Sequence, residues 1–136
     1  MRIGHGVRCL EDPALVKELR ERQIPLEVCP TSNVCLGVVA DLESHPLPHL
    51  IAEGLCVTIN SDDPTLFDTT LTDEYLKVAA AFGFVQQDLT DLVMNAVHAS
   101  LLDPEEKATM IEAFEAQLVT KPGTLPSGVA KFDIYQ

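Results

Sequence analysis

Three short apolar runs, RIGH at residues 2–5, IPLEV at 24–28 and LCVTIN at 55–60, recur at intervals of about 25 to 30 residues with helical patterns between them. That interval is too long for a hairpin and suits a crossover helix. It predicts βα units whose strands all run parallel. In sheets of this kind, functional groups gather at the carboxyl ends of the strands. Three polar segments fall there: His5, CPTSN at 29–33 and NSDDP at 60–64.

The helical signals fill in the rest. Asp12 and Pro13 mark a helix start, and Leu15, Val16 and Leu19 form its inner face. After an irregular stretch, Pro46 opens a short helix with Leu47, Leu50 and Ile51 on one side and Gly54 as its stop. Beyond the third run the pattern is helical only. Thr72 can cap a helix that places Tyr75, Val78, Ala79 and Phe82 on one face and stops at Gly83. Leu89, Leu92, Val93, Ala96 and Val97 make the next stripe, and a last helix from Asp103-Pro104 is expected to bury Met110, Ile111, Phe114 and Leu118. Residues 1–120 thus read as one α/β unit. Residues 121–136, crowded with glycine and proline and without a period, read as an irregular, loosely held tail.

Composition excludes several partners. The net charge is −12, with nine Lys and Arg against 21 acids, so a sequence-independent grip on nucleic acid is not expected. No apolar run approaches the roughly 20 residues that span a bilayer, so no membrane role is expected either. The start shows no basic segment followed by an apolar one, and the expected compartment is the cytoplasm. Cys9, Cys29, Cys35 and Cys56 lack CxxC spacing and read as reduced thiols lining a core or a site.

The chemistry centres on Asp62 and Asp63. Adjacent carboxylates raise each other's cost of ionisation, so a pair at the end of an apolar strand either serves a turn or has something to hold. His5, between two glycines, shares their rim. A histidine with two carboxylates can bind a cation, activate a water, or grip a basic heterocycle. His45 and His49 stand four apart, but Pro46 and Pro48 distort the turn between them, and both read as solvent-facing. His98, at a helix end, reads as structural.

RIGHG, LEVCPTSN with HP shortly after, and NSDDP together resemble the zinc-dependent adenosine/AMP deaminase family, over roughly residues 2–118. Within it, RIGHG with LEVCPTSN is most similar to the adenosine deaminases. The resemblance implies the C-terminal portion of a (β/α)8 TIM barrel, with three parallel strands followed by C-terminal helices. It implies hydrolysis of adenosine and deoxyadenosine to inosine-type products and ammonia in purine salvage, with one Zn2+ per complete site. On this resemblance His5 orients the reactive water, Asp62 ligates zinc and accepts a proton, and Asp63 hydrogen-bonds the purine. The family's HxH pair, a third zinc histidine and the glutamate of an HAGE-like segment have no counterpart here. A C-terminal fragment is therefore expected, holding little or no zinc and inactive alone, with exposed barrel edges through which it could self-associate.

Three other readings stand beside this one. Adenine deaminases share NSDDP but typically carry an acid where this chain has Gly4, which favours the nucleoside. A phosphoacceptor receiver domain also has an acid pair, but after its first strand. A non-catalytic half-barrel that associates with another chain is the third.

Overall fold

The structure, a computed structural model, describes residues 1–119; the expectation for the tail at 121–136 lies outside the described residues. Three strands, β1 (Ile3–Gly4), β2 (Leu26–Val28) and β3 (Val57–Ile59), form one parallel sheet in the order β1-β2-β3. The register pairs Ile3 with Leu26 and Leu26 with Val57. A 3₁₀ turn at Val7–Glu11 and helix α1 (Pro13–Arg22) connect β1 to β2. Helices α2 (Pro30–Cys35) and α3 (Leu47–Ala52) connect β2 to β3. Then come α4 (Pro64–Phe67), α5 (Leu71–Phe82), α6 (Gln86–Ala99) and α7 (Pro104–Val119). This is the parallel βα arrangement of a TIM-type barrel, in part.

Strand alternation gives the sheet two unlike faces. Leu26, Val28, Val57 and Ile59 face the helices and are buried with Val16 and Leu19 of α1, Leu47 and Leu50 of α3, Val78 of α5 and Leu92 of α6. Each fully buried Leu or Val stabilises the fold by about 1.5–3 kcal/mol. Arg2, Glu27, Thr58 and Asn60 fall on the other face. There Arg2 Nε pairs with Glu27 Oε1 at 2.8 Å, and Asn60 Nδ2 donates to Thr58 Oγ1 at 2.9 Å. Among the described residues β1 and β3 are each paired on one side only, although Asn95 of α6 donates to the Val57 carbonyl at 2.9 Å.

Local signals worked where a cap was isolated and failed where several competed. Asp12 accepts from Ala14 and Leu15 N–H, with Pro13 at the first helical position. The cap of α5 is Thr70, not Thr72: Thr70 Oγ1 accepts from Asp73 N–H while Asp73 accepts from Thr70 N–H, a reciprocal pair that starts the helix earlier. Gly6 has φ 72°, and a Cβ there would sit 2.9 Å from Leu26 Cδ2, so this backbone must stay bare. Helix α7 does not bury its predicted face. Met110, Ile111 and Leu118 are half-buried and Phe114 is exposed, because α7 packs mainly on α6.

Candidate active site

The three polar segments do meet on one rim. His5 follows β1 directly, Ser32 and Asn33 lie on α2 just after β2, and Asp62 lies just after β3. His5 and Asp62 both adopt left-handed backbone, each with φ 57°. That conformation costs a non-glycine residue roughly 1–2 kcal/mol. It lets each side chain turn back across the strand ends, so that His5 Nε2 stands 3.4 Å from Asp62 Oδ2. The same oxygen accepts from Ser32 Oγ–H at 2.7 Å.

A line of hydrogen bonds runs inward from His5. Its Nδ1 lies 3.2 Å from Asn33 Nδ2, and Asn33 Oδ1 lies 3.0 Å from His45 Nε2. His45 Nδ1 accepts from Leu47 N–H at 3.0 Å. Asn33 and His45 are both buried, so the solvent-facing reading of His45 is wrong. Its ring satisfies a buried amide of the first turn of α3, a duty that the two prolines around it obscure in the sequence. Burial pushes the His45 pKa down to about 4. His49 is exposed, as expected.

Cys29, at the end of β2, lies beneath the rim. Its thiol donates to the Glu27 carbonyl at 3.4 Å, and burial, with the charges of Asp62, Glu74 and Glu27, pushes its pKa up to about 12. One donor atom each from His5, Cys29 and Asp62 all lie within 4.8 Å of one another. Such a mixed N, S and O set suits a borderline divalent cation such as zinc. Asp63 is placed differently. One of its oxygens accepts from Leu66 N–H at 2.9 Å and caps α4, which is the turn chemistry that adjacent Asp and Pro suggest. Among the described residues its other oxygen has no hydrogen bond.

Behind α2 lies a fully buried carboxylate. Glu74 accepts from Thr31 N–H at 3.0 Å and from Thr69 Oγ1–H at 2.6 Å, and Lys77 Nζ stands 4.0 Å away. Lys77 also donates to the hydroxyls of Thr31 and Thr69. Glu74 thereby ties the start of α2, and so Ser32 and Asn33, to α5. Sequence reasoning placed Glu74 in a helix start and gave Ser32, Asn33 and Cys29 no individual role. The one available signal was a polar CPTSN segment directly after a buried strand.

Two hollows border His5. The larger, about 510 Å³, is almost wholly apolar and opens between β1, α1 and the segment after α2. The smaller, about 370 Å³, is bounded by Gly4, Glu27, Cys29, Asn60 and Asp62, and it holds the groups capable of chemistry. Its size admits a purine-sized ligand.

The family profile described as adenosine deaminase matches residues 1–117. An aminodeoxyfutalosine deaminase of Streptomyces coelicolor is 46% identical over 114 residues, covering 84% of this chain and 30% of the relative. An adenine deaminase of Crocosphaera subtropica is 49% identical over 106 residues, covering 78% and 32%. Among solved structures, the adenine deaminase from Arthrobacter aurescens superposes with a TM-score of 0.83 at 36% identity, covering 87% of this chain and 36% of that one. A zinc-bound amidohydrolase from Burkholderia ambifaria superposes with 0.78 at 26% identity, covering 87% and 33%. The chain spans about a third of the length of the relatives it matches. These relatives carry the names adenine deaminase and aminodeoxyfutalosine deaminase, and not the adenosine deaminase that Gly4 had favoured.

Proposed function

The chain belongs to the adenosine deaminase family, and on that footing we propose that it supplies one wall of a site that hydrolyses the exocyclic amine of a 6-aminopurine. Water and the aminopurine give the 6-oxopurine and ammonia. The observation that supports this best is the convergence of His5, Ser32 and Asp62 at the carboxyl ends of three parallel strands.

Each residue has a task. Asp62 offers a carboxylate oxygen to a cation and can take up the proton that water loses. Ser32 Oγ–H and His5 Nε2 both meet that carboxylate at Oδ2, at 2.7 and 3.4 Å, and hold it in place. Asp63 keeps one oxygen for its helix cap and can accept from a ring N–H of the purine with the other. Zinc, when bound, supplies Lewis acidity that makes water a nucleophile near neutral pH. Of the three groups gathered there, Asp62 is the ligand this chain would give that ion, with His5 beside it.

Adenine is the substrate to test first, in line with the names of the relatives. A second reading, a purine substituted on its five-membered ring, has its own support. A Cβ at Gly4 would meet nothing within 4 Å, and Gly4 borders the polar hollow, so space is left there for a sugar-like group.

A chimera tests the function. The chain would replace the matching third of the Crocosphaera adenine deaminase, and ammonia release would be followed with adenine, adenosine and deoxyadenosine. Turnover that Asp62→Ala abolishes together with zinc retention is expected. A folded, zinc-loaded chimera that releases ammonia from none of the three would sink the proposal.

A further inference from the structure

We propose that His45 and Asn33 are positioning residues that fix the tautomer of His5, placing its single ring proton on Nε2, where it faces Asp62. The case rests on directionality. A backbone N–H can only donate, so the bond from Leu47 N–H makes His45 Nδ1 an acceptor and leaves the neutral ring's proton on Nε2. That Nε2–H meets Asn33 at 3.0 Å and can pair only with its carbonyl oxygen. The orientation of the Asn33 amide is then set, and its NH2 group faces His5 Nδ1 at 3.2 Å. An amide NH2 only donates. His5 Nδ1 must therefore accept, and its proton stands on Nε2, 3.4 Å from Asp62 Oδ2, a carboxylate oxygen that only accepts.

Burial makes the line unambiguous. His45 is 2% exposed and Asn33 1%, so water cannot stand in for either partner, and reversing one link would set two donors or two acceptors face to face. The chain of constraint begins at a rigid point, the first turn of α3, and ends at the rim. A His5 ring protonated on Nε2 presents no lone pair toward Asp62. It sits beside a cation held there as a hydrogen-bond donor and not as a ligand. This deepens the proposed deaminase reading and takes its purpose from it, but its test uses no deamination, so the two can fail separately.

The experiment is a long-range 1H–15N correlation spectrum of the 15N-labelled 136-residue chain at pH 9, where neutral histidines report which nitrogen carries the proton. His5 and His45 should both show the Nε2–H pattern. In His45→Ala and in Asn33→Ala the constraint is broken, and the Nδ1–H form of His5 should rise from undetected to at least a fifth of the population. His49→Ala, on the exposed side of α3, should leave His5 unchanged. A wild-type His5 protonated on Nδ1 overturns the proposal, and so does a His5 signal unaltered in both interior variants. Should neither variant fold, the wild-type spectrum decides: both rings protonated on Nε2 supports the relay, and either ring protonated on Nδ1 refutes it.

Discussion

Replacing Glu74 tests whether the rim is held from behind. In Glu74→Ala, Thr31 N–H and Thr69 Oγ1–H lose their shared acceptor. Thr31 is half-buried and Thr69 Oγ1–H keeps the Thr70 carbonyl at 3.4 Å, so each lost bond costs about 1–2 kcal/mol. Lys77 does not add the full penalty of an orphaned buried charge, because its side chain is 39% exposed and can turn to water. The expected loss is about 2–4 kcal/mol, a large share of the roughly 5–15 kcal/mol that stabilises a typical domain. Glu74→Gln keeps one carbonyl oxygen and should cost about 1–2 kcal/mol. Urea unfolding followed by far-ultraviolet circular dichroism gives the numbers, provided the denaturant slope is unchanged. A loss under about 0.5 kcal/mol for Glu74→Ala, the range of ordinary surface changes, would refute the reasoning.

Other outcomes follow from the same structure. Gly6→Ala, which forces a Cβ against Leu26 at φ 72°, should destabilise by about 1–3 kcal/mol in the same titration, and a neutral result would mean the turn is not tight. Stability should also depend on pH through His45. Its folded pKa of about 4 lies below the roughly 6.5 of an unfolded histidine, so the unfolded chain protonates first as pH falls. The stability that the neutral buried ring confers is complete above about pH 6.5 and declines toward pH 4, by up to about 3 kcal/mol. His45→Gln should flatten that slope, and an unchanged slope would assign it to other groups. Finally, among the described residues β1 is paired along one edge only, so we expect concentration-dependent self-association of the 136-residue chain; light scattering that shows only monomer at micromolar and higher concentration would count against it.

The sheet and its rim were legible because they obey simple periods. Apolar runs at crossover spacing gave parallel strands, and the polar residues ending each run named the meeting place of His5 and Asp62. What lay hidden depended on contacts between segments. His45 sits among prolines that suggest an exposed, distorted turn, yet its ring serves an interior amide. Thr70 and Thr72 are equally good caps by type, and only the reciprocal partner Asp73 separates them. Helix α2 has no apolar stripe to announce it; Glu74, more than forty residues away, anchors its first turn. The amphipathic pattern of α7 promised a buried face, but periodicity cannot say how much partner surface is present.

The register of the sheet bears on how the chain folds as well as on where it ends up. The segments that must close to bring Ile3 to Leu26 and Leu26 to Val57 are of similar length, and closure entropy grows only with the logarithm of length. The two pairings differ in that cost by about 0.3 kcal/mol, so chain length gives neither strand pair a head start. The order of events passes to whatever local structure forms beside a strand. Only β3 is followed closely by two long helices, and α6 returns directly onto it, with Asn95 on the Val57 carbonyl. Nucleation is therefore expected at the C-terminal end of the sheet, with β1 added last. Stopped-flow kinetics would show Leu92→Ala slowing folding and Ile3→Ala chiefly speeding unfolding; the reverse pattern would place the nucleus at β1.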